Sequence, residues 1–225
     1  MAWSFVGAGA VGTRANAIAV LPTGHAAGDL LVLIGSSNTV FTTPAGWTVG
    51  VLNVDGNPSV NTNLCLWYKI DSGLEVNVAS GNSGNNTVFA MMAYRGIAAS
   101  PLDIAGSGDF SGSTVISIAT SSITTTKTND LVISLFAQRR VSSATTGIWT
   151  EPNSTTARIT KGTTNLTNGL LSVDENAASA GATTERMASS SFQQYMASFA
   201  IAFSEPSTSG TFDIFSTYSL FYSCN

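Results

Sequence analysis

Charge is scarce in this chain. Lysine, arginine, aspartate and glutamate make up only 10% of its 225 residues, well below the roughly 25% of an ordinary soluble protein. With so little Leu, Glu and Lys, amphipathic helices with charged outer faces have no material to form from. Nine basic against thirteen acidic residues give a net charge of −4, and no basic cluster goes beyond Arg139-Arg140. Nucleic acid is therefore not an expected partner, because binding it takes several phosphate-neutralising cations on one surface. Apolar runs are short: Ala197 to Phe203 is among the longest, far below the ~20 residues that span a bilayer. No membrane partner is expected. The opening Met1-Ala2-Trp3-Ser4-Phe5 has no basic start leading into an apolar stretch, so no secretory signal is expected, and folding in a cytoplasm is.

Histidine and cysteine are nearly missing. The single His25 cannot build a histidine metal cluster, and any catalytic triad would have to centre on it. Its setting, Pro22-Thr23-Gly24-His25-Ala26-Ala27-Gly28, reads as a turn. Cys65 lies in a strand-like run and reads as a buried reduced thiol, Cys224 as an exposed one, and nothing argues for a disulfide. Carboxylates such as Asp29, Asp55, Asp71, Glu75, Asp103, Asp109, Asp130, Asp174 and Glu175 mostly occupy turn contexts. No glycosidase pair is singled out among them and no Asp-x-Asp calcium loop occurs. The sequence thus predicts no catalytic residue, no cofactor and no metal.

What is abundant is serine and threonine, about a quarter of the chain, with 21 glycines and 44% hydrophobic residues. That apolar content at low net charge excludes disorder. The periodicity is that of strands: 2–6, 16–21, 30–34, 47–54, 64–70, 74–78 and 88–94, then 114–120, 130–137, 148–150, 157–160, 169–173 and 195–203. Leu30 to Ile34 is continuously apolar, as in strands covered on both faces. Turn clusters such as Asp55-Gly56-Asn57-Pro58 and Asp71-Ser72-Gly73 separate the runs, since Gly, Asn and Asp accept positive φ. The segment 172–186 suits a loop. The expectation is an all-β, antiparallel, jelly-roll-like β-sandwich over 1–205, with an aromatic-rich C-terminal strand or arm over 206–225.

An internal echo supports two strand sets facing each other. Gly28-Asp29-Leu30-Leu31-Val32 recurs as Asn129-Asp130-Leu131-Val132-Ile133, and each is followed, roughly 18 and 19 positions after its aspartate, by a tryptophan, Trp47 and Trp149. After the flexible connector Ser204 to Gly210, Phe212, Phe215, Tyr218, Phe221 and Tyr222 crowd the last residues. Left in water so many aromatics are costly, so these five are the subunit-contact candidates.

One motif is a decoy. Gly7-Ala8-Gly9-Ala10-Val11-Gly12 spells G-x-G-x-x-G after an apolar run, with Asp29 further on. A dinucleotide fold needs a helix after the third glycine and an acid at the end of a strand. Pro22 and Gly24 leave no room for the helix, and Asp29 precedes its strand. Trp47, Trp67 and Trp149 read as core filler, whereas Trp3 and Tyr94 remain as exposed rings on which a sugar could stack. The sequons at Asn85, Asn153 and Asn165 are expected by chance in so Asn-, Ser- and Thr-rich a chain.

The segments Met1-Ala2-Trp3-Ser4-Phe5-Val6-Gly7, Ala27-Gly28-Asp29-Leu30-Leu31-Val32, Pro44-Ala45-Gly46-Trp47-Thr48, Leu66-Trp67-Tyr68-Lys69 and Ala93-Tyr94-Arg95-Gly96 resemble β-rich virion proteins of tailed bacteriophages. So does Pro101-Leu102-Asp103. The resemblance runs over roughly Met1 to Ser204 and implies a non-enzymatic structural protein, foremost a capsid decoration or cement protein on the virion exterior. The alternative it implies is a tail-fibre or adhesin module that binds host-surface carbohydrate. The implied partners are further copies of the chain, trimers being favoured, and other virion proteins such as the major capsid protein.

Overall fold

In the computed structural model of the chain, the described residues are 2–54, 62–81, 86–140, 147–162 and 168–206. Alternating runs broken by Gly, Asn and Asp satisfy their backbone groups by pairing with other strands rather than within helices. The described residues contain no helix, and their ladders are antiparallel. The first half holds β1 (Ser4–Ala8), β2 (Gly12–Thr13), β3 (Ile18–Ala19), β4 (Leu30–Ser37), β5 (Thr48–Val54), β6 (Asn63–Ile70), β7 (Val78–Ala79) and β8 (Val88–Arg95). The second holds β9 (Leu102–Ala105), β10 (Asp109–Phe110), β11 (Val115–Ala119), β12 (Thr124–Thr125), β13 (Asp130–Arg139), β14 (Trp149–Thr150), β15 (Thr156–Lys161), β16 (Asn168–Ala177), β17 (Gly181–Ala182) and β18 (Met187–Phe203).

Each half makes its own sheet, and the strand order repeats. The first reads β1-β8-β4-β6-β5; the second reads β10-β18-β13-β16-β15, with β9 also on β18. The small pairs repeat as well, β3 with β7 and β12 with β17. The echoed Asp-Leu segments therefore mark one place twice, the start of the central strand of each sheet. Between the sheets, Leu30, Val32, Ile34 and Leu66 meet Leu131, Ile133, Phe199 and Ile201 in one core. Each such side chain contributes about 1.5–3 kcal/mol relative to exposure.

The outer faces are covered too, which explains the continuously apolar central strands. β4 and β5 flank β6 without touching each other, so their connection crosses the outer face. It carries Phe41 to 5.5 Å from Trp67 and 5.8 Å from Phe89, centroid to centroid. The corresponding connection brings Trp149 to 6.4 Å from Phe136. The edge ribbon does the rest. β1, β2 and β3 accompany β8 and then β7 backwards along the chain, and Ala17, Ala19 and Val78 pack on the outer cluster of Leu31, Leu33 and Phe89. In the second half β9, β10 and β11 follow β18 from Phe203 back to Met187, and Ile118 and Ala188 settle on Phe136 and Leu171.

The expected antiparallel sandwich is present. Its likeness to a jelly roll extends to two facing sheets and not to an exchange of strands between them, because each sheet closes within one half of the chain. Three finer expectations need correction. The strand expected at 74–78 shrinks to β7, and Leu74 stands 88% exposed with Val76 exposed beside it. The loop expected from 172 is strand as far as Ala177, because every residue from Asp130 to Arg139 pairs across to β16. Trp47 is only half-buried, with the Lys69 ammonium 5.3 Å above its ring, whereas Trp67 and Trp149 are buried as expected.

Candidate functional site

The ion pairs are gathered at one end. All five ion pairs among the described residues lie toward the end where β4 and β13 begin: His25–Asp71, Lys69–Glu75, Arg95–Asp29, Arg158–Asp174 and Arg186–Glu175. The two sheets meet here, with Tyr68 edge-on to Phe203 at 5.1 Å. Arg158 adds a guanidinium 4.2 Å above Phe5. The last described residues leave from the same end: the Trp3 backbone N–H donates to the Glu205 carboxylate at 2.8 Å, and Ser204 N–H to Pro101 O at 2.8 Å.

His25 belongs to this end. Its Nδ1 lies 2.5 Å from Asp71 Oδ2, and Asp71 Oδ1 accepts the Gly73 N–H at 2.6 Å. Alongside, Asp29 receives Arg95 Nε at 2.9 Å and Nη2 at 2.8 Å, plus the Ala26 N–H at 2.9 Å. Arg95 also donates to Gly24 O at 3.1 Å. The two aspartates thus clamp the 24–29 turn onto the sheet end. Among the described residues no hydroxyl or thiol is hydrogen-bonded to the imidazole, so the dyad orients a turn and activates no nucleophile in view.

The second half repeats this corner with different chemistry. Asp130 stands where Asp29 does, but Ser204 takes the place of Arg95, as the registers Leu30↔Tyr94 and Leu131↔Phe203 fix. Asp130 is 0% exposed, and neither of its carboxyl oxygens has a hydrogen-bond partner of ordinary geometry among the described residues. Burial, and then the Asp103 carboxylate beside it, push its pKa up to about 7. Asp103 keeps its charge: burial works against it, but the Thr126 hydroxyl and amide, the latter at 2.7 Å, hold it below the usual carboxylate range. Lys127 Nζ donates to Ser204 Oγ at 3.0 Å. Sequence reading named both aspartates without joining them; the repeated Asp-Leu was the available signal.

The opposite end carries Arg14, Arg139, Arg140 and Lys161 beside a set of buried amides and hydroxyls. Ser36, Thr62 and Asn63 from the first sheet and Gln138, Asn168 and Gln194 from the second are fully buried. Asn168 Nδ2 ties the sheets by donating to Asn86 O at 2.6 Å. At this end the half-exposed Phe192 lies 4.9 Å beneath the Arg140 guanidinium.

Other sequence candidates resolve as follows. Gly9 and Gly12 serve the backbone: a Cβ on Gly9 would fall 1.7 Å from Val20 O, and one on Gly12 2.3 Å from Ile18 O. These glycines let the edge ribbon fold back on the strand before it. Tyr94 is not an exposed platform but fully buried, ringed by Trp3 at 6.1 Å and Phe5 at 5.3 Å. Trp3 itself is half-buried, its Nε1–H donating to Asn176 Oδ1 at 3.3 Å. Cys65 is buried and its thiol pushed up to about 12 by that burial. Phe212, Phe215, Tyr218, Phe221, Tyr222 and Cys224 lie outside the described residues. A shallow cleft beside the Glu175–Arg186 pair measures about 180 Å³, below the ~300 Å³ at which pockets begin to enclose small ligands. Among the described residues no group of three His, Cys, Asp or Glu gathers, and no helix is long and apolar enough to cross a membrane. Comparison with protein-family models, with curated proteins and with solved structures gives no match.

Proposed function

We propose that this chain is a non-enzymatic structural protein of a bacteriophage virion, a decoration or cement protein seated on the outside of the capsid. The observation that carries the reading is the sorting of the surface. The ion pairs and the last described residues share one end, whereas the other end sets buried amides and hydroxyls beside Arg14, Arg139, Arg140 and Lys161. In this reading the ion-paired end faces the particle, and the segment holding Phe212, Phe215, Tyr218, Phe221 and Tyr222 packs on the major capsid protein or on a neighbouring copy. Trimers suit the local threefold positions of a shell. Burial of aromatic area across subunit boundaries then stabilises the particle by mass action. Two facing sheets with covered outer faces suit such a role.

Deletion of Gly210 to Asn225 tests the contact role. The truncated chain is expected to fold and to lose incorporation into particles or self-association; full incorporation contradicts it.

One observation favours a second reading, an adhesin module that binds host-surface carbohydrate. Phe192 with Arg140 over it is a half-exposed aromatic face at the end away from the ion pairs, the type of surface on which sugar rings stack. Phe192→Ala abolishes cell or glycan binding under this reading and changes nothing under the first.

A further inference from the structure

We infer that Asp130 and Asp103 form a proton-operated latch at the root of the C-terminal segment: sharing one proton they hold β9, the turn before β13 and the end of β18 together, and without it that corner opens. The inference rests on a difference between the two halves and not on the virion reading. In the first half Asp29 is neutralised in place by two hydrogen bonds from Arg95. In the second the arginine is replaced by Ser204, and a second carboxylate stands nearby. A buried carboxylate without partners costs several kcal/mol, and a carboxyl group in that position keeps its proton instead.

The groups acting on Asp130 decide how the latch works. Asp103 faces it from β9, and Lys127 from the preceding turn. Its register partner on β16 is Ala177, and β18 offers Ser204; neither titrates. Asp103 is held in its charged form by the Thr126 hydroxyl on one oxygen and the Thr126 N–H on the other, and each oxygen keeps a lone pair with which to accept from Asp130. Asp130 therefore carries the proton. When that proton passes to solvent, the buried Asp130 carboxylate faces the part-buried Asp103 carboxylate with one ammonium nearby, which is already bound to Ser204 Oγ at 3.0 Å. The strands with least to lose are β9, of four residues, and the residues after Phe203.

The test uses the full chain. Carbon-13 carboxyl NMR follows Asp130 from pH 3 to 9, and hydrogen exchange gives protection factors, corrected for intrinsic rates, for the Thr126 and Ala105 amides. Asp130 is expected to titrate at least two pH units above the ordinary aspartate value of ~3.9, and Thr126 to lose at least tenfold in protection between pH 5.5 and 8.5. Asp130→Asn, which can still donate to Asp103, is expected to hold protection constant with pH. Should that variant fail to fold, Asp103→Asn is expected to move the midpoint of Asp130 downward. A midpoint near 4 for Asp130, unchanged protection in the natural chain, or a pH dependence that survives in Asp130→Asn overturns the latch.

Discussion

Gly28 and Asn129 do the same job in the two halves. Both have positive φ, +92° and +61°, and each donates its N–H to the far end of a neighbouring strand, to Asp71 O at 2.9 Å and Ala177 O at 2.7 Å. Asparagine tolerates the left-handed region better than other side-chain-bearing residues, and alanine there costs about 1–2 kcal/mol. Gly28→Ala and Asn129→Ala are therefore expected to lose about 1 kcal/mol each, and Asn129→Gly to change little. Urea unfolding checks this; an Asn129→Ala protein as stable as the natural one contradicts the shared role.

Gly9 makes a different demand. Its φ is ordinary, but an added methyl group would overlap the Val20 carbonyl. Gly9→Ala is expected to cost more than ~3 kcal/mol or prevent folding, by forcing the edge ribbon off the sheet. Gly46→Ala, at φ +78° with open space around it, is expected to cost only about 1 kcal/mol. Similar losses at both positions would mean that close approach is not what Gly9 provides.

Cys65 should be chemically silent. Its thiol donates to Asn53 Oδ1 at 3.3 Å within a buried cluster and is pushed up to about 12. In a Cys224→Ser background, alkylation at pH 8 is expected to be at least a hundredfold slower in the native protein than in urea. Rapid native labelling would show that the cluster around Trp67 opens readily.

Stability should depend on pH through Asp130. Its folded pKa, raised to about 7 by burial and then by Asp103, exceeds the unfolded value near 4. The folded state therefore holds the proton more tightly. The stability it confers is complete below about pH 4, declines as pH rises to about 7, and is level above. Asp103, held low by Thr126 once its burial is outweighed, works oppositely and loses stability as pH falls below about 4. A higher Tm at pH 5 than at pH 8 is expected, and Asp130→Asn should remove the difference. An unchanged difference in that variant assigns the effect elsewhere.

The strands and the doubling were legible in the sequence because alternation and an Asp-Leu echo are local signals. The central strands announced their two-sided burial through runs such as Leu30 to Ile34. What covers those outer faces was not legible. Phe41 and Trp149 reach them by crossover connections, and the folded-back ribbons depend on pairings many residues apart. Tyr94 misled because a phenol reads as amphipathic; here its hydroxyl donates to Met92 Sδ at 3.7 Å inside the core, with the Asp174 carboxylate beside it. Leu74 and Val76 misled the other way, alternating like a strand while remaining exposed. The corner of Asp103 and Asp130 needed the register, which no short-range pattern encodes.

Counting this chain on purified particles tests the proposed role most directly. Quantitative gel densitometry against the major capsid protein is expected to give hundreds of copies per particle, all accessible to surface labelling. Tens of copies would place the chain in a fibre, and particles free of it would contradict a structural role altogether.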